Sequence, residues 1–132
     1  MQDLVQGTWA SACMGGGAAS EKSVLVISGS TFASTLTSYA NGTCTGTGTP
    51  TSNGSGTFAI GAAVSAAMGS ATVTAYAVDS TESGQLNYGL LYVDTGVTPN
   101  KLYDGLYTAT LDGSTAAKRP VAIDPSSPMT KQ

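Results

Sequence analysis

This sequence predicts an all-β fold, a single antiparallel up-and-down barrel of about eight strands, on the strength of three observations. First, β-branched and alternating apolar runs recur along the 132 residues, punctuated by Gly, Asn-Gly and Asp-Gly turn signals roughly 8 to 14 residues apart. Second, no stretch sustains a helical period, and the residues long helices draw on are scarce: charged side chains make up 10% of the chain, while glycine occurs 17 times. Third, the candidate strands follow one another through short, hairpin-like connections, which favours a closed barrel over the alternative, a β-sandwich, and leaves no bare sheet edge. The length fits one domain spanning 1–132.

In chain order, residues 6–13 form the first strand, with Gly7-x-Trp9 at its centre and the only Trp of the chain. The glycine run Gly15-Gly16-Gly17 lies in a hairpin loop over 14–20, since no Lys-Ser or Lys-Thr follows that would make it a phosphate cradle. Residues 23–27 and 31–39 make a hairpin about Ser28-Gly29-Ser30, with Phe32 and Leu36 on one face, and Asn41-Gly42 marks the next turn. From Thr43 to Thr51 every second residue is Thr, an exposed edge expected to dissolve into a loop over 50–55. Strands follow at 56–60, 70–79, 86–94 and 101–107, the last interrupted at Asp104-Gly105. Residues 119–124 together with 129–131 close the chain.

Cys13 and Cys44 are the only cysteines. An even count, with both residues at the ends of predicted strands near one rim, predicts a disulfide, worth about 3 to 4 kcal/mol in the chain-entropy description. Such a bridge and the low charge suggest an exported protein, secreted, periplasmic or in the cell envelope, whose leader has been removed, because Met1-Gln2-Asp3 does not open a signal peptide. A net charge of -3 argues against nucleic acid and anionic membranes, and no apolar run reaches the length of a transmembrane helix. Oligomeric state is not legible.

The chemistry points away from catalysis. There is no His, no Cys-x-x-Cys and no calcium-loop spacing, so no metal or cofactor is expected. Asp79, Glu82, Asp94 and Asp104 fall in or beside turns, where solvated charges are the rule. An eight-stranded barrel is either filled by its side chains or holds one small ligand. The small residues Ala59, Ala71 and Ala75 at candidate inward positions fit a cavity or, as the favoured case, a flattened and packed interior. Any ligand site is placed at the barrel mouth, among Tyr76, Tyr88 and Tyr92. The expected function is therefore a non-enzymatic barrel that binds a small hydrophobic molecule; the alternative is a structural or interaction module with a filled barrel that meets a protein partner.

Gly7-x-Trp9 in the opening strand resembles the calycin group, whose lipocalins carry that motif in an eight-stranded barrel. The chain is more closely similar to small bacterial secreted proteins or lipoproteins. The matching residues are Leu4-x-x-Gly7-Thr8-Trp9-x-Ser11-x-Cys13, Tyr39-x-x-x-x-Cys44-Thr45, Gly56-Thr57-Phe58-x-Ile60-Gly61, Leu102-Tyr103-x-Gly105 and Arg119-Pro120-x-x-Ile123-Asp124. It differs from lipocalins in lacking a Thr-Asp-Tyr-type motif and a C-terminal helix. The resemblance implies structural roles for Gly7, Trp9 and Arg119: Trp9 would close the barrel floor, and the guanidinium of Arg119 would lie across its indole.

Overall fold

The computed structural model describes residues 1–132. A one-turn helix α1 (Gln2–Val5) precedes nine strands: β1 (Gly7–Ser11), β2 (Met14–Gly16), β3 (Ala19–Ser28), β4 (Thr31–Tyr39), β5 (Thr49–Met68), β6 (Ala71–Glu82), β7 (Gln85–Asp94), β8 (Lys101–Asp104) and β9 (Met129–Lys131). From β3 to β9 each strand pairs antiparallel with the next, β9 pairs with β1, and β1 pairs with β3. The ring therefore closes with eight strands, as the hairpin-like connections predicted. β2 is the extra one. It pairs with β3 on the edge that β1 also uses, so β1 and β2 are one stave broken at Ala12-Cys13. At the break the Ser23 N–H donates to Ser11 Oγ at 2.9 Å, so a hydroxyl takes the place of the missing backbone acceptor.

Strand alternation sets what the barrel contains. The pairs Trp9↔Leu25, Ile27↔Phe32, Ile60↔Val78, Val93↔Leu102 and Leu102↔Met129 turn one face of every stave inward. Val5, Trp9, Ile27, Phe58, Val78, Val93 and Leu102 form the buried core at one end. There α1 acts as a plug: Trp9 Nε1 donates to the Val5 carbonyl at 2.7 Å, and Gln6 exchanges hydrogen bonds with Gly29 in the β3–β4 turn.

A second cluster lies on the outer wall. The β5 register shifts between Ile60 and Ala63, and the hairpin tip beyond it packs Ala66 and Ala75 against Leu90 and Ile123, with Val64, Val73, Tyr92 and Tyr103 around them. Leu90, Tyr92 and Tyr103 are each one residue out of phase with the inward Leu91, Val93 and Leu102, which places them outside. Two of the alanines expected inside, Ala59 and Ala71, are instead exposed, and Ala75 is buried in this outer cluster. Alternation gives two faces but not which one is interior; inward-facing Phe58 and Val78 decide the phase.

Two further expectations are corrected. Residues 50–55 are not a loop: they pair with β4, and Pro50, which has no N–H to give, sits beside the register shift at Leu36/Thr37. Residues 119–124 are not the closing strand. β8 covers only positions 91–94 of β7, and the segment after it lies along the rest: the Tyr88 N–H bonds the Gly113 carbonyl at 2.9 Å, and Gly105 bridges Ile123.

That displacement separates Arg119 from Trp9. The closing stave is β9, whose Lys131 is the residue paired with Trp9, and its ammonium lies 4.8 Å from the indole centroid while donating to the Gln6 carbonyl. Arg119 instead crosses the outer wall, bonding the carbonyls of Val78 (2.9 Å) and Gly89 (2.8 Å) and the carboxylate of Asp79 (2.5 Å), 5.3 Å from the Tyr88 ring centroid.

Cys13 and Cys44 are joined, their Cα atoms 5.8 Å apart, tying the broken stave to the β4–β5 connection. The bond fits an oxidising compartment. No helix is long and apolar enough to cross a membrane.

Candidate ligand-binding cavity

The barrel is not filled. A cavity of about 620 Å³ opens at the end opposite α1, within the roughly 300 to 1,000 Å³ typical of small-molecule sites. Its floor is the top of the core, Ile27, Phe58, Val78 and Leu102, and its walls are Leu25, Phe32, Leu91 and Met129. These are the same inward positions that alternation supplies lower down; the chain simply runs short of bulk toward the mouth. There the inward series changes character, to Ser11 on β1, Ser23 on β3, Ser80 on β6, Asn87 on β7 and Asp104 on β8. Met14, Leu106 and Tyr107 add exposed apolar surface at the rim.

Two carboxylates face this space. Asp104, read from sequence as a solvated turn charge, lines the cavity at the end of β8, surrounded by protein atoms yet still open to solvent. That burial pushes its carboxyl up to about 6, against the hydrogen bond it accepts from the Gly105 N–H at 2.7 Å and helped by the negative charge of Asp124. The Asp124 N–H donates to the Asp104 carbonyl at 3.0 Å, which fixes the two residues side by side. Asp124 itself is held below the usual carboxylate range by the hydroxyl and N–H of Ser126. The two neighbours thus differ in how well their charge is satisfied.

Tyr107 brings the phenol to the mouth. Its hydroxyl accepts from Asn87 Nδ2 at 3.2 Å, and burial followed by the Asp104 charge raises its pKa. The ring passes over Gly113, where φ is +76° and an added Cβ would stand 2.9 Å from it. No cluster of three or more His, Cys, Asp or Glu side chains is arranged to hold a metal ion.

No family profile, curated protein or solved structure matches the chain. The site therefore rests on its own geometry.

That geometry relocates the expected tyrosines. Tyr88 and Tyr92 do share a face, but it is the outer one: Tyr88 lies beneath Arg119, and Tyr92 stacks on Tyr103 with centroids 5.7 Å apart. Tyr76 pairs with Leu91 below the cavity and does not line it. Tyr107 takes their place. Sequence reasoning took Asp104 for a turn charge and put Tyr107 at the end of a strand over 101–107, outside the predicted site; the available signal was the parity running from Val93 and Leu91 to Asn87, which marks the odd positions of β7 as inward.

Proposed function

We propose that this barrel binds, without transforming it, a small and largely apolar molecule in its cavity. The supporting observation is the cavity itself: interiors of this size normally close by side-chain packing, and leaving one open forgoes dispersion contacts that would stabilise the fold. An apolar floor with a polar, accessible mouth is the arrangement of a ligand site. The packed barrel expected for a purely structural module has no such space. With the resemblance of Gly7-x-Trp9 to calycins and the disulfide, the proposal extends to an exported carrier or sensor, secreted or held in a bacterial periplasm or envelope.

Titration with N-phenylnaphthylamine, which fluoresces when it enters an apolar site, tests this directly. Saturable one-to-one enhancement is expected, and Leu91→Trp, which fills the cavity, should abolish it. No saturation, or saturation unchanged in Leu91→Trp with the fold intact by circular dichroism, would remove the proposal.

A further inference from the structure

Resting on the cavity as a binding site, we propose that its ligand is an amphiphilic amine: an apolar body on the floor and a cationic head at the mouth, held by Asp104. The charges on the wall are of one sign. Asp104 and Asp124 face the space, the third titratable group there is the Tyr107 phenol, and the remaining polar side chains contributed by β1, β3, β6 and β7 are neutral. No Lys or Arg lines the cavity. Lys131 is engaged on Trp9, and Arg119, though near enough to lower the Tyr107 pKa, is paired with Asp79 on the outer wall.

A fatty acid or other anionic amphiphile would add a third negative charge to a confined space that offers it no cationic donor. An alcohol would find acceptors but no charge partner. An ammonium brings both hydrogen-bond donors and a positive charge to Asp104. Asp124 already accepts two hydrogen bonds from Ser126, whereas Asp104 accepts one, from Gly105. Burial, and after it the negative charge of Asp124, raises the affinity of Asp104 for a proton. A bound amine would stand where that proton otherwise goes, with the Tyr107 hydroxyl a further acceptor on the cavity lining.

The test uses three competitors with one alkyl chain and different heads, decylamine, decanol and decanoate, displacing N-phenylnaphthylamine from the full chain at pH 7.5, below their micelle concentrations. Decylamine should displace the probe at concentrations lower by about tenfold or more than either of the others, the scale of one charge-assisted hydrogen bond. In Asp104→Asn that preference over decanol should collapse toward one. If decanoate or decanol competes as well as decylamine, the amine assignment is overturned while the cavity stands. If all three compete with the expected order but Asp104→Asn keeps it, Asp104 is not the anchor and the proposal fails. Absence of probe binding removes the cavity reading and this one together. Should Asp104→Asn not fold, the order of the three competitors on the unaltered protein still decides.

Discussion

Three contacts converge on Trp9: its Nε1 bonds the Val5 carbonyl, its ring carries the Lys131 ammonium, and Gly7 lets that lysine pass. A Cβ at position 7 would stand 2.9 Å from Lys131 Nζ, and φ there is +107°, so Gly-x-Trp describes a cation's path as much as a strand. Lys131→Met keeps the packing stem and removes the charge; it should lower stability by about 1 to 2 kcal/mol and shift Trp9 emission. Arg119→Lys should leave that emission where it is. The importance of Trp9 was visible in sequence because a lone Trp in an opening strand has few other roles. Its partner was not, since cross-strand register between positions 9 and 131 is set by the whole ring. A second expectation concerns Asp104. Its carboxyl binds a proton more tightly folded than unfolded, so its contribution favours folding below the ordinary value of 3.8 and is lost as pH rises through about 6. Asp104→Asn should therefore raise the melting temperature more at pH 7.5 than at pH 4, and the reverse order in thermal scans would contradict the raised carboxyl.

Where β8 stops short, the chain uses an irregular segment as wall. Arg119 is its rivet, 21% exposed in its side chain and bonded to two carbonyls of the β6–β7 pair, while its ionic partner Asp79 is 46% exposed. The exposed half of that ion pair is screened and worth little, whereas two carbonyls stripped of their donor are costly. Arg119→Met is thus expected to cost about 2 to 3 kcal/mol and Asp79→Asn less than about 1 kcal/mol in urea unfolding. Strands such as 31–39 and 86–94 could be read from the alternation of their large apolar residues, although β7 turns out to bury both faces, Leu90 outside and Val93 inside. Residues 50–55 could not: Pro50, Asn53 and Gly54 are poor strand formers, and only the ladder offered by β4 holds them extended. The same holds for the site, where Asp104 looks like a turn charge and Tyr107 like the end of a strand until the short β8 makes both of them cavity wall.

At the level of the whole molecule, the disulfide spans 31 positions and joins the mouth of the barrel to the β4–β5 connection. Replacing both cysteines by Ser should cost about 3 to 4 kcal/mol, read as a lower urea midpoint that added reductant no longer changes. Closure of the ring is longer in range still. It depends on β9, three residues that meet β1 at Trp9↔Lys131, Ala10↔Thr130 and Ser11↔Met129. A nascent chain on the ribosome that has not yet freed residue 131 holds every other strand but cannot join them into a ring. Until then β1 and β8 each present a bare edge, the kind that recruits strands from other copies. A chain truncated before Met129 keeps both edges bare and should aggregate under conditions where the full chain does not.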